Sequence, residues 1–209
     1  MIKVYGFQNT RTTRVTWALE EAGAEYELIP VNLGKGEHRS PEFLHLSPGG
    51  KVPVLEDGDL VMTESAAICT YIGEKFPQSG LVPPFSQPID RAHYFQWCFF
   101  AVSELEAAIW TLGKHQRFLP EERRVPEVAP TCLWEFHRHA AILAQHLKDR
   151  EFVAGNQFTC ADILMSGVLN WARNTGTNLE SPALDAYADR MSARPALARA
   201  RQREAEVTT

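Results

Sequence analysis

The stretch "KVPVLEDGDLVMTESAAI", residues 51–68, carries most of the information about the fold. Val52 to Leu55 is a β-prone run, Asp57-Gly58 supplies a tight turn, and Leu60 to Met62 returns, so the segment reads as an antiparallel hairpin. It leads into an amphipathic helix from about Ser65 to Phe76, with Ile68, Tyr71, Ile72 and Phe76 on its inner face. Pro53 interrupts a pattern that should pair with a neighbour, which marks an edge or a special turn. A trans bond would make it an ordinary strand start, whereas a cis Val52–Pro53 bond would turn the Val52 N–H and C=O outward toward an extended peptide-like ligand. Glu64 and Ser65 fall at a helix N-terminus, where backbone amides and the helix dipole attract a carboxylate. Ser65 suits that anion and Glu64 suits an ammonium, so together they fit an α-amino acid head group; simple capping is the plainer alternative.

Upstream, Ile2 to Phe7 reads as a strand, Thr13 to Ala22 as a helix and Tyr26 to Leu33 as a second strand, a βαβ opening that implies parallel strands. Ser40-Pro41-Glu42 supplies an N-cap, a first-turn proline and an early carboxylate, which predicts a short helix through Leu46. The order of the first half is therefore β-α-β-α-β-β-α, an α/β domain. Downstream, "PQSGLVPPFSQP", Pro77 to Pro88, removes four backbone donors and reads as the joint between two halves.

The second half is helical throughout. Tyr94, Trp97, Cys98, Ala101, Val102, Leu105, Ala108, Ile109 and Leu112 keep one apolar face over a long helix. A second helix runs from about Pro130 to Leu147, and "FTCADI" starts a third, with Thr159 as N-cap, Asp162 reaching back, and Phe158 stapled to Ile163. Shorter helices near Pro182 to Ser192 and Pro195 to Glu204 complete it.

A chain of 209 residues with 44% hydrophobic content can bury one large core or two small ones. The net charge of −5, without a basic run, gives no reason to expect nucleic acid or an anionic membrane as partner. No stretch approaches the ~20 apolar residues of a membrane span, and the N-terminus lacks a signal-peptide core, so a cytoplasmic location is expected. Cys69, Cys98, Cys132 and Cys160 are scattered without ligand spacing; reduced, buried thiols are expected, and no metal or cofactor.

The first helix opens in an unusual way, with "FQNTRTTRVTWALEE", residues 7–21, crowding Thr10, Thr12 and Thr13 about its start. Helix N-terminal amides and a hydroxyl donor stabilise a thiolate, whose thiol has a free pKa of roughly 8.5. Capping, exposure and packing are the ordinary explanations for the three.

Taken in order, the β-α-β-α-β-β-α domain, "GGKVPVL", "ESAAI", the proline-rich joint, "FTCADI" and "RVTWALEE" resemble the cytosolic glutathione S-transferases of bacterial type, with a serine/threonine-like active site, over essentially the whole chain. The resemblance implies a thioredoxin-like glutathione-binding domain over residues 1–78, a linker over 79–88 and an all-α domain over 89–209. It implies glutathione as co-substrate, a hydrophobic electrophile bound against the helical domain, a homodimer and a detoxifying role. By position, Val52 matches the residue whose backbone pairs with the cysteinyl unit, Pro53 the cis-proline, and Glu64 and Ser65 the pair on the γ-glutamyl end. Lys51 matches a side chain offered to the glycine carboxylate, with Lys35, His38 or Arg39 as further contributors.

The resemblance implies Thr10 as the residue facing sulfur, since serine-type members place their hydroxyl four residues before the arginine that Arg14 matches, with Asn9 as second candidate and Tyr5 as third after the subgroups that use Asn or Tyr nearby. Phe7, Phe99, Phe100, Trp110 and His115 are candidates for the electrophile's surroundings. Besides the transferase, the same resemblance admits a non-catalytic glutathione-binding or protein-interaction module and a glutathione-dependent peroxidase or isomerase.

Overall fold

A computed structural model describes residues 1–208 and divides them into two compact units, Met1–Pro84 together with the described chain from Ala193 on, and Phe85–Ser192. The first unit holds β1 (Ile2–Gly6), α1 (Thr12–Ala22), β2 (Tyr26–Pro30), α2 (Pro41–Leu46), β3 (Val54–Asp57), β4 (Leu60–Met62) and α3 (Ser65–Lys75). The sheet order is β2-β1-β3-β4, with β1 parallel to β2 and antiparallel to β3, and β3 antiparallel to β4. This is the expected α/β pattern. The strand bounds differ in places: β1 ends at Gly6 rather than Phe7, β2 at Pro30 rather than Leu33, and Val52 and Pro53 precede β3 instead of lying in it.

Residue type sets two of these helix ends. Ser40 Oγ accepts the Phe43 N–H at 3.2 Å, capping α2. Gly23, at φ 63°, ends α1 in the left-handed region that glycine enters without penalty. Buried Val4, Val15, Ala18, Leu19, Leu55, Ile68 and Ile72 form the unit's core.

The second unit holds α4 (Pro88–Phe100), α5 (Glu106–Gly113), α6 (Ala129–His146), α7 (Cys160–Asn174) and α8 (Pro182–Ser192). The long apolar face is there, but the backbone between α4 and α5, Ala101–Leu105, winds as a π-helix, and so does Lys114–Phe118 after α5. At the start of α7, Asp162 accepts the Thr159 N–H at 2.9 Å and, on its other oxygen, the Tyr187 hydroxyl at 2.8 Å. Burial pushes the Asp162 carboxyl above the usual carboxylate range, against the hydrogen bonds that lower it.

The expected division differs from this one in two places. Helix α9 (Pro195–Thr208), assigned from sequence to the helical domain 89–209, groups with the first unit, because Arg194, Arg199 and Arg203 pair with Glu21 and Glu20 of α1. Within the expected linker 79–88, Leu81 and Val82 are buried: a Cβ on Gly73 would lie 2.5 Å from Val82 Cγ2, so this segment packs on α3. Thr209, the last residue of the expected second domain, lies outside the described residues.

Candidate active site

Strand register brings the three sequence-predicted segments to one end of the sheet. Tyr5, near the end of β1, pairs with Val54 at the start of β3, and Met62 at the end of β4 pairs with Leu55. Residues 7–11, 51–53 and 63–65 therefore all leave or enter the sheet at the same end.

The Val52–Pro53 bond is cis. The Val52 side chain packs on the cluster of Val31, Phe43 and Val54, while its backbone makes no hydrogen bond among the described residues. The turn before it is fixed by Ser47, whose hydroxyl donates to the Lys51 carbonyl at 3.0 Å and accepts the Lys51 N–H at 3.2 Å. Gly50, at φ 59°, allows a close approach: a Cβ there would lie 2.8 Å from the His38 carbonyl oxygen. His38 and Arg39 thus stand beside Lys51, an exposed side chain, and His38 Nδ1 is buried without a partner among the described residues. Lys35 is exposed, its N–H donating to Asn32 Oδ1.

At the third segment, Glu64 is exposed at φ 69°, a region costly for a residue with a side chain, and its carboxylate has no partner among the described residues. Ser65 begins α3, is buried, and its Oγ accepts from Arg14 Nη1 at 3.4 Å. Arg14 is itself buried on α1, and its carbonyl accepts the Cys69 thiol of α3. Arg14 stands four residues before the inward Ala18, on the buried face of α1, and that spacing is the signal in the sequence for its place between the two helices.

The threonine cluster separates into distinct roles. Thr12 is buried on Gly6, where a Cβ would sit 2.2 Å from Thr12 Cγ2, and its Oγ1 accepts the Phe7 N–H at 3.2 Å. The Thr10 hydroxyl lies 2.6 Å from the Phe7 carbonyl and 2.9 Å from Thr12 Oγ1, and it accepts the Thr12 N–H at 3.1 Å. Its single proton is engaged in closing the turn. Thr13 and Thr16 point instead to Glu204 of α9, at 2.8 and 2.7 Å. Asn9 is exposed at φ 57°, which asparagine tolerates, and its amide has no partner among the described residues.

Tyr5 donates its one hydroxyl proton to Glu56 Oε2 at 2.9 Å, away from the thiol end of the site; burial, first, and this carboxylate raise its phenol pKa. Of the aromatic candidates in the second unit, Trp110 packs between Phe118 and Trp171, Phe100 meets Trp97 edge-on, and His115 Nδ1 accepts the Val125 N–H. Phe99 is 67% exposed.

Comparison with known proteins agrees with this geometry. Residues 1–74 match the glutathione S-transferase N-terminal domain and residues 102–195 the C-terminal domain. The chain spans about a third of the length of the first curated relatives it matches: it is 49% identical over 75 residues to the probable glutathione S-transferase GSTF2 of Oryza sativa, 35% of either chain. It is 30% identical over 218 residues to glutathione S-transferase 3 of Zea mays, covering 93% of this chain and 90% of that one. It is also 30% identical over 212 residues to the disulfide-bond oxidoreductase YfcG of Escherichia coli, covering 96% and 94%. The crystal structure of the glutathione transferase URE2P6 of Phanerochaete chrysosporium, in complex with oxidised glutathione, superposes with a TM-score of 0.85 at 27% identity, over 99% of this chain and 97% of that one. With both domain families matched in order and a relative aligned over nearly its full length, the chain belongs to the glutathione S-transferase family.

Proposed function

We propose that the protein is a glutathione S-transferase that binds glutathione extended along Val52 and raises the thiolate fraction of its thiol. The observation that carries this reading is that polar groups matching each part of the tripeptide meet at one end of the sheet and are unspent. The Val52 backbone lacks a partner, and so do the Glu64 carboxylate and the Asn9 amide among the described residues. In this reading Glu64 accepts from the γ-glutamyl ammonium, and Ser65 with the α3 amides receives its carboxylate. Lys51, with His38 and Arg39, attracts the glycine carboxylate.

Sulfur is assigned to Asn9, because the Thr10 hydroxyl already serves Phe7 and Thr12. Thr10 holds the turn that presents Asn9. The thiolate forms a C–S bond to an apolar electrophile; for an aryl halide, the halide leaves with the bonding pair and the thiol proton goes to solvent.

Two measurements test this: retention on immobilised glutathione, and turnover of an aryl halide with the kinetic pKa of bound glutathione. Retention with a kinetic pKa below that of free glutathione supports the transferase. Retention without turnover of any electrophile or hydroperoxide makes the protein a binding module.

The Escherichia coli relative's name favours one second reading, disulfide reduction. No cysteine lies in residues 7–21, so the bound glutathione thiolate itself would attack the disulfide, forming a mixed disulfide and expelling a thiolate. Glutathione consumption with a small disulfide, set against conjugation of the halide, separates the two.

The reading also takes the protein as a cytoplasmic homodimer. Its four cysteines are buried and none is in a disulfide, as suits a reducing compartment, and no helix among the described residues is long and apolar enough to cross a membrane. Ile89 and Phe99 are exposed on α4, apolar surface that a second copy would cover, and sedimentation at micromolar concentration tests this.

A further inference from the structure

We propose that Glu204, on the last helix and nearly two hundred residues from the site in sequence, is a positioning residue for the thiolate end of that site. It acts through Thr13 and Thr16 on the first turns of α1. The inference rests on the reading of residues 9–10 given above.

Helix α9 lies antiparallel to α1, as their contacts show in order. Arg194 holds Glu21 with Nε at 2.6 Å and Nη2 at 2.9 Å, and Arg199 and Arg203 hold Glu20 at 2.8 and 3.0 Å. Glu204 then reaches Thr16 and Thr13. The arginine pairs anchor the end of α1 that lies away from the site. Glu204 is the contact of α9 that reaches the first turn.

A buried carboxyl is an unusual choice for that contact. Glu204 is 1% exposed, so its side chain gives up hydration that a leucine would not need. In return, its two oxygens each take one hydroxyl, from positions three apart on one face of α1. Two directional bonds fix both the axial position and the rotation of the helix, which an apolar contact does less well.

The position matters because the Thr13 N–H donates to the Thr10 carbonyl at 3.3 Å, and Thr10 in turn closes the turn carrying Asn9. A chain of hydrogen bonds therefore runs from α9 through Thr13 to Thr10, the residue next to the one assigned to sulfur. The charges around Glu204 are Arg201, Arg203 and Glu20, with the Tyr26 phenol beside them. Burial raises the Glu204 carboxyl above its ordinary value, while the two threonine bonds and Arg201 oppose that shift.

The test measures the kinetic pKa of bound glutathione, kcat and KM for Glu204→Ala, Glu204→Gln and Thr13→Val, with Arg194→Ala as a control that loosens α9 at its other end. Glu204→Ala and Thr13→Val are expected to raise the kinetic pKa and lower kcat below it about two- to fivefold, the range of a helix-terminus effect, while KM for glutathione changes little. Glu204→Gln keeps an acceptor and a donor for the two threonines and should restore the wild-type profile. Arg194→Ala should lower thermal stability alone.

If Glu204→Ala does not fold, Thr13→Val carries the test from the other partner. A wild-type pH profile in folded Glu204→Ala or Thr13→Val, or a loss that tracks thermal stability across all four variants, overturns the proposal. Failure of the wild-type protein to bind glutathione would instead overturn the underlying site assignment.

Discussion

Arg14 Nη1 lies 3.4 Å from Ser65 Oγ, joining the helix that starts at the candidate thiol end of the site to the helix that starts at its γ-glutamyl end. Both residues are buried, so the tie is shielded from solvent. With the Cys69 thiol on the Arg14 carbonyl, it ties α1 to α3 through one buried residue.

Replacing Arg14 should therefore act on binding and on folding together. Arg14→Ala leaves the buried Ser65 hydroxyl without this donor, a cost of about 1–3 kcal/mol for a buried partner. The expected outcome is a lowered Tm and a raised KM for glutathione. Lysine lacks the planar fork and should not rescue either. Thermal unfolding with and without glutathione, beside steady-state kinetics, checks this.

Asn9 and Thr10 are neighbours with different roles. A hydrogen bond to a charged group contributes about 1.5–3 kcal/mol, so Asn9→Ala should lower kcat/KM roughly 10- to 100-fold and raise the kinetic pKa of bound glutathione, with Tm nearly unchanged. Thr10→Ala should lower Tm, because the Phe7 carbonyl and Thr12 amide lose a partner, and reduce activity less. The opposite order of effects would return sulfur to Thr10.

Gly6 and Thr12 form a size-matched pair. Gly6→Ala would place a Cβ 2.2 Å from Thr12 Cγ2, so strain of about 1–3 kcal/mol is expected, seen as a lower denaturation midpoint. Gly6→Ala/Thr12→Ala removes Cγ2 and Oγ1 but leaves the Thr12 Cβ 2.8 Å from the new one, so the double variant should recover only part of the loss. A double-mutant cycle measures that coupling.

Glu204 predicts a direction for the pH dependence of stability. Its pKa is raised from 4.5 in the folded chain, chiefly by burial, with the two threonine bonds opposing. The folded state therefore binds this proton more tightly than the unfolded state. Its contribution is fully present below the unfolded pKa and is lost as pH rises from there through the folded value. Glu204→Gln removes the titration, so the Tm of the variant relative to wild type should rise as pH increases from about 4 and then level off. A difference independent of pH would show that the carboxyl does not titrate there.

Much of this was legible in the chain. The periodic apolar faces marked α1, α3 and the long helix that continues through two π turns. Ser40 and Asp162 announced their caps by residue type and spacing. Those signals are local, set by side chains within a turn or two of one another. The break between hairpin and loop at Val52 was displaced by two residues, because a β-prone side chain says little about whether its backbone has a partner.

What the sequence by itself determined is the order of elements, the three segments bearing polar groups, and the family to which they belong. Tertiary structure alone decided which threonine does what. Thr10, Thr12, Thr13 and Thr16 are equivalent as residue types, and their roles diverge only because Gly6, Phe7 and Glu204 stand on different sides of α1. It also decided that α9 joins the first unit, through ion pairs and a buried carboxyl spanning more than 170 positions. A hydrogen bond depends on where its partner is in space, and no local pattern records a partner that the chain reaches only by folding back on itself.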